Sequence, residues 1–413
     1  MPARAPHLWG PFMLERSTRK FIAVTRVVTS LGYYLTIPLL GVIALRAGSM
    51  SAVEVGALVS AHALFRRGLA LPTGVLCDRW GGERVLVAGL VAEAVGYVLL
   101  ASSITFPVWL AALVIDGAGG AAYNSAGRVV LAKASKEGGS AASFAGFYVA
   151  TNVGALLGPL LAAALSAHGS PRAALLLSAL AYACAAAGAL WRFRTVDRSR
   201  PVTAAGGSVW RSLVGPLGDR LFVVYCAMTV PLWFGISLLV SALPLEADLR
   251  GLGYVDVGVI NSLNALVVVA LGTKVGKITD GWDLPRRMRF LGAGGLAMAA
   301  GCLVCLPAGT PWLYAGMVVI TLGELALIAA TDIVAVHLAP EGSTGVYLGY
   351  VTTAWAVGGV LAGVLAGALL DGSGPGRVVF WAVSTALLLG AAVWFTVAGR
   401  AVTARAAAGA ART

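Results

Sequence analysis

Gly74-Val-Leu-Cys-Asp78-Arg79-Trp80-Gly81-Gly82-Glu83-Arg84 has a counterpart 202 residues later, Gly276-Lys-Ile-Thr-Asp280-Gly-Trp282-Asp-Leu-Pro-Arg286. At the one offset Gly74 meets Gly276, Asp78 meets Asp280, Trp80 meets Trp282 and Arg84 meets Arg286. The register continues upstream, where Glu54 meets Asp256, Gly56 meets Gly258, Ser60 meets Ser262 and Leu64 meets Leu266. Chance supplies apolar matches in so hydrophobic a chain, but it does not supply Asp, Trp and Arg in register. Both copies follow an apolar run of the same sense, so the chain reads as two halves in a parallel repeat. Halves related about an axis along the membrane normal place a binding site between them near mid-membrane.

Composition fixes the solvent. The chain has 413 residues, 59% hydrophobic and 12% charged, with a mean hydropathy of +0.86, whereas soluble domains carry about 25% charged residues. A bilayer takes one helix per roughly 20 apolar residues. Apolar runs separated by turn signals then predict twelve helical spans, near 21–45, 52–77, 84–104, 107–130, 144–166 and 172–193, then 220–244, 254–279, 288–308, 311–334, 345–370 and 377–398. The fold class expected is all-α and integral to the membrane, with a six-helix bundle over 1–194, a polar linker over 195–219 and a second six-helix bundle over 220–413.

A net charge of +12 raises the question of nucleic acid, and the placement of the charge answers it. Of thirty Lys and Arg, twenty-three fall on the side of the two termini; Arg46, Arg172, Arg250 and Arg377 fall opposite, and Arg26, Arg66 and Arg67 lie within spans. This asymmetry is the positive-inside bias, and it predicts cytoplasmic termini and no nucleic-acid partner. The first span is expected to stay as an anchor, because no short apolar core with a small-residue cleavage site precedes it. Five cysteines all fall in or beside apolar helices, and Cys302-x-x-Cys305 has no His or second pair with it. Packing is expected for them, and no metal.

The stretch Gly74 to Arg84 resembles the major facilitator signature Gly-x-x-x-Asp-Arg-x-Gly-Arg-Arg, with Gly82 and Glu83 in place of the basic pair and Arg84 just beyond. The resemblance implies a gating loop built from Gly74, Asp78, Arg79, Gly81, Arg84 and the repeat's Asp280. Gly154-Ala-Leu-Leu-Gly158-Pro159-Leu-Leu-Ala162-Ala163 looks like the family's antiporter signature, with its last glycine pair changed to Ala. Small residues four apart allow close helix approach, and Pro bends the helix. The tenth span, with Thr321-Leu-Gly323-Glu324, is similar to bacterial proton-coupled drug antiporters of that superfamily, which implies a monomer in the bacterial plasma membrane.

Ionisable side chains inside spans are costly and need a partner, a watery cavity or a job. Glu324 lies near the middle of its span with no Lys or Arg in the same helix. A carboxylate withdrawn from water holds its proton more readily, so Glu324 is the first candidate for proton coupling. The resemblance implies the same. Asp116, ahead of Gly117-Ala-Gly119-Gly120, is the second candidate, at a place where the family carries Arg. Glu93 is the third, at the depth of Arg66 and Arg67, and an ion pair between those helices is expected. Two arginines against one glutamate leave a surplus positive charge for Asp116 or a substrate anion to balance. Arg26 either joins this network or faces an inner cavity. Arg128 and Asp332 are expected to reach water at the basic end, and His62 to be a structural histidine. Tyr33, Tyr34, Tyr123, Asn124, Asn152, Trp233, Asn261 and Asn264 are candidates for the cavity wall, since aromatic and amide groups suit flat, partly polar molecules.

The leading expectation is therefore a secondary transporter that exports a small organic compound against protons, with the proton gradient in place of any cofactor. No Gly-x-x-x-x-Gly-Lys-Ser/Thr loop occurs to use nucleotide. A proton-coupled importer of a sugar, peptide or organic acid is the rival. A membrane receptor or enzyme is remoter, because no paired metal ligands or Gly-x-Ser-x-Gly elbow occur. The Ala, Gly and Arg bias points to a high-GC bacterium and to self-protection as a role.

Overall fold

The computed structural model describes residues 10–36, 50, 52–134, 141–167, 171–194, 209–252, 254–370 and 374–410. The outer end of the first expected span (37–45), Arg46 and most of the linker (195–208) lie outside them. The described residues are helical almost throughout. The first set is α1 (Gly10–Thr36), α2 (Ala52–Gly68), α3 (Ala70–Trp80), α4 (Gly82–Ser102), α5 (Phe106–Lys133), α6 (Ala141–Ala167) and α7 (Pro171–Arg192). A short α8 (Val209–Val214) leads to α9 (Arg220–Ser241), α10 (Leu243–Leu249), α11 (Tyr254–Thr279), α12 (Leu284–Val304), α13 (Thr310–Leu338), α14 (Thr344–Leu369) and α15 (Gly374–Ala410).

Among the described residues nine helices are long and apolar enough to cross a membrane. The others fall short for local reasons. The run expected as the second span is divided at Leu69 into α2 and α3, because Pro72 lacks the N–H that would bond the Gly68 carbonyl. α12 opens with Arg286, Arg287 and Arg289, and of the first expected span only the part up to Thr36 is described, preceded in α1 by Arg19 and Lys20 and carrying Arg26.

The repeat read in the sequence recurs in the packing. α1 packs on α6, α4 on α5 and α7, and α2 on α5; correspondingly α9 packs on α14, α12 on α13 and α15, and α11 on α13. Two seams join the sets, α6 with α11 and α3 with α14, and these too are counterparts.

The close approach foreseen at Gly154 and Gly158 joins α6 to α1. A Cβ on Gly158 would stand 2.6 Å from the Tyr34 Cβ and 2.8 Å from its carbonyl carbon. Gly158→Val is expected to lower stability by about 1 to 3 kcal/mol, the usual cost of overpacking, whereas Gly363→Ala, with open space around it, is expected to be neutral. Thermal unfolding of the purified protein measures both. Cys302 and Cys305 are buried free thiols packed in the core.

Candidate functional site

At the basic end the repeated motif closes both seams. The Asp78 carboxylate, at the end of α3, accepts from the backbone N–H groups of Gly345 (2.7 Å) and Val346 (2.9 Å), the first turn of α14. Its counterpart Asp280 accepts from the N–H of Ala141 (3.0 Å), the first residue of α6. Carboxylates suit these places, where unsatisfied N–H groups and the helix dipole favour a negative charge. Gly74 explains itself at the same seam, because a Cβ there would collide with the backbone of Gly345. Gly81 turns the chain from α3 into α4 at φ +88°, in the left-handed region glycine tolerates. Arg79 reaches Ser212 of α8 (3.4 Å), and Tyr350 of α14 donates to the Leu213 carbonyl (2.8 Å), so α8 is tied to both sets. Arg84 lies exposed at the start of α4.

Arg128 and Asp332 correct the sequence expectation. They do not simply reach for water: Arg128 of α5 meets Asp332 of α13 at 3.1 Å, and also holds Thr352 and the Leu348 carbonyl of α14. The two sets are thus bridged by an ion pair between their facing helices. Each residue alone resembles a snorkelling head group, and only the tertiary fold brings them together.

Deeper in the first set lies a cluster of charge. Glu93 and Asp116 are fully buried, and Arg66 approaches both, at 3.2 Å and 3.8 Å. His62 Nε2 lies 2.8 Å from Asp116 Oδ2, and the His62 ring stacks on Tyr33 with centroids 6.0 Å apart. The expected α2–α4 ion pair is present, but Arg66 makes it alone. Arg67 has no ion pair or hydrogen bond among the described residues and lies over Trp355, 5.4 Å from the ring centroid. The glycine run gives the cluster its room. A Cβ on Gly120 would fall 2.5 Å from the Arg66 Cζ, and one on Gly119 2.8 Å from the Glu93 nitrogen. One oxygen of each acid, Glu93 Oε2 and Asp116 Oδ1, has no hydrogen-bond partner among the described residues. The pairing of His62 with Asp116 has no signal in spacing, since 54 residues separate them.

Arg26 stands apart from the acids. It donates to Thr151 (2.7 Å) and Asn124 (2.6 Å), neutral acceptors, and lies 4.6 Å from the centroid of Phe147.

Glu324, 2% exposed, sits at the middle of α13. Tyr148 of α6 donates to its Oε1 (2.8 Å) and Asn264 of α11 to its Oε2 (2.7 Å). No cation pairs with it among the described residues. The carboxylate therefore lies where both sets meet, held by one donor from each.

Of the expected wall residues, Asn264 and Asn124 hold charged groups, Tyr33 carries Arg66 on its face (4.4 Å), and Trp233 stacks on Trp355 at 5.2 Å. Tyr34 is packed against the Gly158 backbone and Asn261 is exposed. Tyr123 is a correction: it is wholly buried between helices, its hydroxyl 3.5 Å from Thr25. Asn152 bonds the Tyr148 carbonyl of its own helix. Tyr148 and Trp355 were not distinguishable in the sequence from other aromatics in apolar helices. A cleft on the flank of α9 and α15, lined by Pro231, Leu387, Gly390 and Trp394, has almost no polar group for a cargo to meet.

Known proteins place this arrangement. Multidrug resistance protein MdtH of Aeromonas salmonicida is 24% identical over 370 residues, 87% of this chain and 90% of its own. MdtH of Klebsiella pneumoniae is 24% identical over 387 residues, 91% of each chain. The crystal structure of the human organic anion transporter MFSD10 shares the fold, with a TM-score of 0.69 at 18% identity over 92% of this chain and 99% of that one. The Major Facilitator Superfamily profile matches residues 22–363. With that match spanning most of its length, and with its two sets of helices packed as counterparts, this chain belongs to the major facilitator superfamily and is a membrane transporter, not an enzyme.

Proposed function

We propose that the protein exports a small organic compound from a bacterial cell in exchange for protons, with Glu324 as the group that both compete for. The observation that carries this reading is the placement of Glu324: buried, without a cation among the described residues, and bonded to one residue from each half. An isolated acid at mid-membrane depth is a functional group by default. A proton neutralises it on one side, and a basic group of the cargo displaces that proton on the other. Movement of α6 against α11 changes its donors, so its readiness to release a proton follows the conformation. Asp116 and Glu93 form a second place for a proton, since Arg66 balances only one of the two charges.

Twelve spans and cytoplasmic termini complete the reading, supported by the apolar runs of the sequence and by the charge asymmetry of the loops, and a monomer follows from the family resemblance. The linker and halves then fall at 195–219, 1–194 and 220–413. With the basic end cytoplasmic, the locks at Asp78, Asp280 and Arg128 close the cytoplasmic side, and the cargo site opens outward by alternating access.

The test is accumulation of fluorescent organic compounds by inverted vesicles with an acid interior. Accumulation that collapses on adding a protonophore is expected. Gradient-driven uptake by intact cells, with none by inverted vesicles, would instead establish the importer.

A further inference from the structure

The charges inside the first half do not balance, and the excess has an address. Arg66 takes both buried acids, and Arg26 is satisfied by neutral oxygens. Arg67 is left with none of its five N–H donors used among the described residues. It sits eleven residues before Asp78 on the same rod, about 16 Å along it at 1.5 Å per residue, so it is far from either surface. A guanidinium at that depth does not face hydrocarbon, yet Arg67 is exposed. It therefore faces the polar interior between the halves, and its neighbours agree: Trp355 and Gly359 both belong to α14 of the opposite half.

The surroundings define what fits. Trp355 supports the guanidinium, with Cζ 5.4 Å from the ring centroid, and itself stacks on Trp233 at 5.2 Å and 24°. A guanidinium lying over an aromatic ring keeps the edge of its fork free, and that edge matches a carboxylate in a bidentate pair. Arg67 lies where α2 meets α14, and Glu324 lies where α13 meets α6 and α11. Arg67 and Glu324 thus border the interior between the halves from its two seams.

We propose that Arg67, with the Trp355–Trp233 pair, forms an anion subsite, and that the exported compound is amphoteric: a flat conjugated molecule with an acidic group for Arg67 and a basic centre for Glu324. The basic centre rests on the export reading above; the acidic group rests on Arg67 alone.

The test uses a zwitterionic xanthene dye bearing a carboxylate, and its methyl ester, which keeps the ring and the basic centre and loses the acid. Each is titrated against the purified full chain in lipid nanodiscs, with binding read by dye anisotropy. The acid is expected to bind about tenfold tighter or more, the scale of a charge-assisted hydrogen bond. Arg67→Gln is expected to abolish that preference, and Arg67→Lys to retain part of it. Equal affinities, no binding of either dye, or a preference that survives Arg67→Gln overturns the subsite. The wild-type comparison needs no variant to fold. Acid preference in binding without gradient-driven flux of the dye would sustain the subsite and sink the export reading.

Discussion

Glu324→Gln is expected to abolish gradient-driven accumulation, by on the order of a hundredfold, the upper range of couplings between two binding events. Substrate exchange across the vesicle membrane is expected to persist at raised substrate concentration. The side chain keeps its size, and its amide still accepts from Tyr148. Asn264 can rotate its amide to present an oxygen, because an Asn side chain carries both a donor and an acceptor. The fold is therefore little disturbed, and what disappears is the charge. A neutral amide neither gives up a proton nor attracts a basic centre, so the proton gradient has nothing to act upon. Normal accumulation by the variant at matched expression would remove Glu324 from the coupling site.

Arg66→Gln is expected to be the most destabilising single change in the first half, by about 3 to 5 kcal/mol, the cost of stranding a buried charge. Without the guanidinium, Glu93 and Asp116 are left with no Arg or Lys beside them among the described residues. One oxygen of each already lacks a partner among the described residues, so no described donor stands ready to compensate. Adding Glu93→Gln to the variant removes one of the stranded charges and is expected to recover much of the loss. Thermal unfolding of the purified single and double variants measures both effects. Equal stability of Arg66→Gln and wild type would show that water reaches the cluster and solvates the acids.

The sequence carried the architecture and part of the site. The Gly74 to Arg84 stretch and its copy imply a parallel repeat, and the packing of α1 on α6 and α9 on α14 repeats accordingly. Glu324 was legible because a lone acid in an apolar helix is costly. Arg66 and Glu93 were legible because equal depth suggests a pair, but depth does not choose between neighbours 66 and 67. Rotation by one residue, about 100° around a helix, sends one inward to Glu93 and the other across to Trp355. His62 with Asp116 and Tyr148 with Glu324 had no periodic signal, since each joins helices far apart in the chain. Tyr123 shows the converse error, an aromatic residue read as wall that the fold uses as filling.

The Arg128–Asp332 pair has a further meaning. Helices α5 and α13 begin at residues 106 and 310, each with Pro next, at 107 and 311. That shift of 204 is also the separation of Arg128 from Asp332. The two side chains thus occupy the same place in their respective halves, and a residue that touches its own counterpart lies on the twofold axis. Two identical subunits meeting there would bring like charges face to face, Arg on Arg or Asp on Asp. Opposite charges in a single chain turn that repulsion into attraction. A transporter assembled from two copies of one half cannot make this contact, so at the axis itself the duplicated halves have ceased to be interchangeable.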